Sequence, residues 1–91
     1  MKLENEFLYA EISEMGAEVI RIYDKENQRD ILWEGDPKYW KRHSPVLFPN
    51  VGKTYRNTVR IGGIQYPTSQ HGFARDTMFI CIKSSKDNAS F

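Results

Sequence analysis

Ninety-one residues are enough for one domain at most. Thirteen basic and twelve acidic side chains give a net charge of +1, a balance that offers no electrostatic footprint for nucleic acid or an anionic membrane. A hydrophobic content of 40%, with 13% aromatic, argues against disorder. No apolar run approaches the ~20 residues of a membrane-spanning helix, and the N-terminus lacks a signal-peptide core, so we expect a cytoplasmic protein.

The first third of the chain predicts three strands. Residues 6–12 alternate between apolar and polar positions, which is typical of a strand, and residues 13–16 supply a turn. Residues 18–23 predict a second strand; a helix is the competing interpretation, but glycine and β-branched residues count against it. A charged turn at 24–28 then leads to a short third strand at 29–33.

The middle of the chain combines a turn with a proline-bracketed apolar run. Pro37 predicts the start of a helical turn at 38–41, with Asp36 as its cap. The consecutive apolar residues 46–48 predict a short strand buried on both faces, limited by Pro45 and Pro49. The aromatic residues of this region are expected in the core: Trp33, Trp40, Phe48 and Phe73.

The rest of the chain predicts a hairpin and further strand material. Residues 59–61 and 64–66 flank Gly62-Gly63, a pair that suits a two-residue turn. Alternation over 78–82 predicts another strand, and 89–91 has the pattern of a strand's first step. About seven short strands indicate an all-β, antiparallel sandwich or barrel. Because a sheet that stops mid-hairpin leaves an unpaired edge, we expect residues 1–91 to be the front part of a longer domain. If the chain is instead complete, the same exposed edges predict homo-oligomerisation.

The segment from Pro45 to Arg75 carries a family resemblance. Its pieces are Pro45-Val46-Leu47-Phe48-Pro49, Val51-Gly52-Lys53, Ile61-Gly62-Gly63-Ile64-Gln65-Tyr66 and, most specific, Gln70-His71-Gly72-Phe73-Ala74-Arg75. Together they resemble the aldose 1-epimerase (galactose mutarotase) superfamily, in its LacX-like and hexose-6-phosphate epimerase-like branch. Gly16-Ala17-Glu18 and Leu32-Trp33-Glu34-Gly35-Asp36 stand in family-like order too.

The resemblance implies a β-supersandwich with a sugar or sugar phosphate in a groove. His71 matches a histidine that hydrogen-bonds the sugar, and Arg75 matches an arginine of the same pocket. Lys53 lies near a basic position where the family more often has arginine, whose planar fork suits phosphate better. Asn50 and Phe73 complete the predicted binding residues, with Phe73 as an aromatic for stacking on the sugar ring.

The family reaction interconverts α and β anomers by general acid–base ring opening, without metal or nucleotide cofactor. Its acid histidine and base glutamate come from the later part of the family's chain. The resemblance therefore implies no catalytic residue within 1–91.

Simpler roles are open for every predicted binding residue. His71 could be structural, Arg75 could pair with Asp76, Lys53 could be solvated, and Asn50 could be a turn residue. Cys81 reads as a small buried hydrophobe, and the spacing of histidine and cysteine predicts no metal site. Two alternative functions are a non-catalytic carbohydrate-binding module and a domain that pairs its β-edge with a partner chain.

Overall fold

The computed structural model describes all 91 residues and shows an all-β chain of eight short antiparallel strands without an α-helix. The strands are β1 (Lys2–Glu4), β2 (Leu8–Ser13), β3 (Glu18–Asp24), β4 (Arg29–Asp30), β5 (Thr58–Ile61), β6 (Ile64–Pro67), β7 (Lys83–Ser84) and β8 (Ala89–Ser90). They form one four-stranded sheet, in the order β1-β2-β3-β4, and two separate hairpins, β5-β6 and β7-β8. The all-β, antiparallel prediction is confirmed, and no helix is long and apolar enough to cross a membrane.

The four-stranded sheet follows the predicted alternation, with one strand more than predicted. β1 was missed because three residues are too few to show a period, and it pairs with β2 from Lys2 opposite Glu11 to Glu4 opposite Tyr9. β2 and β3 pair along their lengths with one irregularity between Glu11 and Ile12. The predicted third strand shortens to β4, because only two of its residues pair with β3.

The turn at Pro37 forms as predicted. The Asp36 carboxylate accepts the Lys38 N–H at 2.9 Å, and the Asp36 carbonyl accepts the Trp40 N–H at 2.9 Å. A side chain with oxygen acceptors next to the first turn satisfies backbone donors that the turn itself leaves unpaired. The turn therefore holds the Trp40 backbone by its N–H group.

Two predicted strands are wrong. Residues 46–48 form no strand and are not buried: Val46 is 40% exposed and Phe48 58%. The backbone of Phe48 instead makes a single parallel bridge with Gly72, so its hydrogen bonds join two loops. Residues 78–82 also lie outside any strand, and Met78 only bridges Met15.

The apolar core is small. Four residues are buried, and Ala74 is the only buried hydrophobic residue among them. The aromatic residues expected in the core are exposed instead: Trp33 by 39%, Trp40 by 49%, Phe48 by 58% and Phe73 by 60%. With extents of 51 × 34 × 16 Å, the chain is thin, and no second layer covers these side chains.

Candidate functional site

A cleft between the loops 40–47 and 70–75 brings two predicted binding residues together. His71 and Arg75 line it from one side, and its volume is about 430 Å³. The other wall comes from the loop that follows the Pro37 turn. The lining residues are Trp40, His43, Ser44, Pro45, Leu47, Gln70, His71 and Arg75. We call this the His71 cleft.

His71 is held by two hydrogen bonds to one glycine. Its backbone N–H donates to the Gly52 carbonyl at 2.9 Å, and the Gly52 N–H donates to its Nδ1 at 2.8 Å. Because Nδ1 accepts this bond, the neutral ring carries its proton on Nε2. The half-buried imidazole therefore has one free hydrogen-bond donor, Nε2–H, to offer a ligand.

Backbone geometry explains why this loop contains glycine. His71 itself has φ +63°, and Gly72 follows with φ +75°. A Cβ on Gly72 would lie 2.0 Å from the Phe48 carbonyl oxygen, far inside contact distance. That carbonyl accepts the N–H groups of Phe73 and Ala74 at 3.0 and 3.1 Å. The close approach of the two loops therefore requires a residue without a side chain at position 72.

Arg75 enters the cleft with part of its guanidinium unpaired. Its side chain is 19% exposed, and its Nη2 donates to the Gln70 carbonyl at 2.9 Å. The Nε–H is buried and has no hydrogen-bond partner. Asp76 Oδ2 lies 3.9 Å from Nε, which is too long for a hydrogen bond. The alternative of an Arg75–Asp76 pair is therefore present only as a long ion pair without a hydrogen bond.

Asp76 is engaged by another arginine. Arg42 Nη2 donates to Asp76 Oδ1 at 2.8 Å. This bond joins the loop 40–47 to the residue that directly follows the loop 70–75. The hydrogen bond from Arg42 is the largest effect on Asp76 and lowers its pKa from the ordinary value of 3.8. Partial desolvation opposes this shift, and the positive charges of Arg42 and Arg75 add to it. A charge-assisted hydrogen bond of this kind favours the ionised carboxylate.

Glu18 anchors the far wall of the cleft. This residue, at the start of β3, is 8% exposed and is the buried acidic residue of the chain. Its Oε1 accepts the backbone N–H groups of His43 at 2.5 Å and Ser44 at 3.1 Å. The Ser44 hydroxyl donates to the Val19 carbonyl at 2.7 Å. Glu18 is not among the predicted site residues, and its only signal in the sequence is its place in the Gly16-Ala17-Glu18 segment.

His43 lines the cleft, but both of its ring nitrogens face protein atoms. Nδ1 lies 3.3 Å from Glu18 Oε1, and Nε2 lies 3.1 Å from the Glu34 carbonyl oxygen. No ring nitrogen is left for a ligand. Of the two histidines, His71 is therefore the one with a free donor.

The other predicted binding residues lie outside the His71 cleft. Asn50 and Phe73 line a second, apolar cleft of about 430 Å³ under the β5–β6 hairpin. Asn50 Nδ2 donates to the carbonyls of Gly52 at 2.9 Å and Ser69 at 3.1 Å, so it braces the His71 loop. Lys53 is exposed on the adjoining loop and lines neither cleft.

The His71 cleft offers hydrogen-bond donors and one positive charge, that of the Arg75 guanidinium. Its polar side chains offer hydrogen-bond donors and amide or hydroxyl groups, and no carboxylate lines it. No group of three histidine, cysteine, aspartate or glutamate residues is placed to hold a metal ion. Such a lining suits a polyhydroxylated ligand, whose oxygens accept hydrogen bonds from Nε2–H and N–H groups.

Comparison with known proteins gives the family. The sequence matches the model of the aldose 1-epimerase family over residues 1–91. The plasmid and chromosomal LacX proteins of Lactococcus lactis subsp. lactis are each 27% identical over 96 residues, covering 100% of this chain and 32% of theirs. The chain thus spans about a third of the length of these curated relatives.

Solved structures agree with this match. A galactose mutarotase-like protein from Lactobacillus casei superposes with a TM-score of 0.88 at 41% identity, over 94% of this chain and 29% of the other. A galactose mutarotase related enzyme from Lactobacillus acidophilus gives a TM-score of 0.87 at 34% identity, again over 94% and 29%. The fold is therefore galactose mutarotase-like, and this chain belongs to the aldose 1-epimerase family.

Proposed function

We propose that residues 1–91 form the sugar-binding part of an aldose 1-epimerase that interconverts the α and β anomers of an aldohexose or hexose phosphate. The observation that carries this proposal is the His71 cleft, in which a free Nε2–H and the Arg75 guanidinium lie together. Family membership supports a sugar epimerase-like activity at the coarser level.

The residues that line the cleft indicate which parts of the reaction they can perform. Anomer exchange by ring opening needs a base that takes the proton of the C1 hydroxyl and an acid that protonates the ring oxygen. No carboxylate lines the cleft, and the one buried carboxylate, Glu18, is occupied by backbone N–H groups. We therefore assign His71 and Arg75 to binding and orienting the sugar, and place the acid and base outside residues 1–91.

A binding measurement with paired variants tests the assignment. Saturation-transfer NMR with glucose, galactose and glucose 6-phosphate identifies the ligand and its affinity. His71→Asn keeps an acceptor near the position of Nδ1 and tolerates the positive φ, but it removes Nε2–H. We expect about a fivefold loss of affinity, which corresponds to one hydrogen bond of about 1 kcal/mol.

Two arginine-to-alanine variants, one inside the cleft and one outside it, form a matched pair for the same binding measurement. Arg75→Ala should weaken binding, whereas Arg60→Ala should leave it unchanged, because Arg60 is an exposed residue of β5 outside the cleft. Equal affinities for wild type, His71→Asn and Arg75→Ala would remove the sugar site from this cleft.

Activity is tested by polarimetry of fresh α-anomers. We expect residues 1–91 alone to leave the rate of mutarotation at its uncatalysed value. Acceleration by the isolated chain would show that the assignment of acid and base to other residues is wrong.

A second candidate function is carbohydrate binding without catalysis. The absence of a carboxylate from the cleft favours it, because binding needs only the donors that are present. Polarimetry of the complete natural polypeptide separates the two functions: acceleration supports the epimerase, and sugar binding without acceleration supports the binding module.

A further inference from the structure

The aromatic residue in the His71 cleft is Trp40. Trp40 lines the cleft together with His71 and Arg75, and the residue is 49% exposed. Phe73, the aromatic neighbour of His71 in the sequence, instead lines the cleft under the hairpin and packs edge-on against Phe48 at 6.1 Å. The aromatic surface available to a ligand of His71 therefore comes from a loop about thirty residues earlier in the chain.

The backbone of Trp40 is held on both sides. Its N–H donates to the Asp36 carbonyl at 2.9 Å, and its carbonyl accepts the indole N–H of Trp33 at 2.8 Å. Trp33 is itself packed edge-on against Tyr39, with ring centroids 6.3 Å apart. An exposed aromatic side chain on a fixed backbone loses little conformational freedom when a ligand binds it.

We propose that Trp40 is a specificity-determining residue, a platform on which the apolar face of a pyranose ring packs. A pyranose has hydroxyl groups at its rim and C–H groups on its faces. The rim would meet the donors of His71 and Arg75, and a C–H face would cover the indole. This inference rests on the proposed sugar-binding function, and it deepens that function by naming a residue of this chain that would distinguish the ring form of a sugar from an open chain.

A linear polyol is the natural competitor for this test. Sorbitol and galactitol carry hydroxyl groups comparable to those of glucose and galactose, but they have no ring face. If Trp40 is a platform, the wild-type chain binds the pyranose more tightly than the polyol, and Trp40→Ala reduces that preference. Removing one aromatic packing partner corresponds to about a five- to tenfold loss of pyranose affinity.

The experiment measures dissociation constants by NMR for pyranose and polyol in three chains. Tyr55→Ala is the control, because Tyr55 is an 80% exposed aromatic residue outside the cleft. We expect Trp40→Ala to lose pyranose affinity while Tyr55→Ala keeps it. Pyranose binding of equal strength in wild type and Trp40→Ala would overturn the platform and leave the proposed function intact.

Intrinsic fluorescence gives a second readout in the folded chain. The sequence has two tryptophans, and in Trp40→Phe only Trp33 emits. A saturating pyranose should change the emission of wild type and not that of Trp40→Phe. Unchanged wild-type emission at a concentration where NMR shows saturation would overturn the platform even if Trp40→Ala fails to fold, and absence of any sugar binding by wild type would overturn both the platform and the proposed function.

Discussion

The two loops that form the His71 cleft are held in place differently from the β5–β6 hairpin. The hairpin has an unbroken antiparallel ladder from Thr58 opposite Pro67 to Ile61 opposite Ile64, yet every residue of β6 is exposed. The cleft loops form no ladder, but they contain two of the four buried residues of the chain, Gly72 and Ala74.

The difference lies in how far apart in sequence the partners are. Hydrogen bonds of the hairpin join neighbours across a two-residue turn, so local sequence is enough to form them. Those of the cleft join β3 to residues 43–44, and residue 42 to residue 76. Each cleft contact therefore depends on the others being in place, and we expect the cleft to be lost as a unit under perturbations that the hairpin survives.

Gly72→Ala should destabilise the cleft loops more than any other single substitution considered below. The added Cβ would lie 2.0 Å from the Phe48 carbonyl oxygen, on a backbone with φ +75°. We expect a loss of about 3 kcal/mol in the free energy of unfolding, of which about 1–2 kcal/mol is left-handed strain and the rest displaced backbone. Urea unfolding followed by tryptophan fluorescence measures it.

Gly62→Ala in the hairpin turn is the matched control. Its φ is +57°, and nothing lies within 4 Å of the added Cβ, so only backbone strain is expected, at about 1 kcal/mol. Equal losses for the two variants would mean that the close approach of the cleft loops contributes nothing to stability.

The same contrast explains how much the sequence could predict. The hairpin follows from local alternation and Gly62-Gly63, and the sheet of β2 and β3 follows from period-two apolar residues. Residues 46–48 were predicted as a buried strand because three consecutive apolar residues favour one. Nothing local indicates that the Phe48 carbonyl is needed by the loop at residues 73–74.

The motif at residues 70–75 identifies one of the two cleft loops from sequence, whereas no motif identifies the other loop, residues 40–47. His71 and Arg75 stand four residues apart in a recognisable segment, and the structure places both in one cleft. Trp40 reaches the same cleft through the Pro37 turn, and Glu18, at the start of β3, holds the backbone of the cleft loop at His43 and Ser44. Such contacts are set by tertiary packing, which a single sequence does not display.

Removal of the Glu18 carboxylate should weaken the cleft loops without a steric clash. Glu18→Ala would leave the N–H groups of His43 and Ser44 without their acceptor, and we expect a loss of about 2 kcal/mol in the free energy of unfolding. Urea unfolding measures the loss, and NMR shifts show where it acts. The His71 and Trp40 signals should move, while those of the β5–β6 hairpin stay in place.

Glu18→Gln is the control for charge. Its amide oxygen can still accept the two backbone N–H groups, so most of the stability should return if hydrogen bonding is the dominant contribution. Hairpin signals that shift as much as cleft signals in Glu18→Ala would contradict the independence of the two regions.

The Arg42–Asp76 contact, which joins the loop 40–47 to residue 76, should contribute the least to stability. Asp76 is 60% exposed, and its pKa is lowered below 3.8 mainly by the hydrogen bond from Arg42. A carboxylate with a lowered folded-state pKa stabilises the fold above its unfolded pKa, and this contribution disappears as the pH falls through the lower folded value. The stability difference between wild type and Asp76→Asn should therefore be constant near neutral pH and shrink below about pH 4.

Urea unfolding at a series of pH values measures this difference. Because the pair is solvent-exposed, 1 M salt should reduce the difference at neutral pH, where the Debye length is about 3 Å. Glu6→Gln, on the exposed turn before β2, controls for the change in net charge. A difference that stays constant down to pH 2, or that grows on acidification, would mean that the ionised Asp76 does not hold the two cleft loops together.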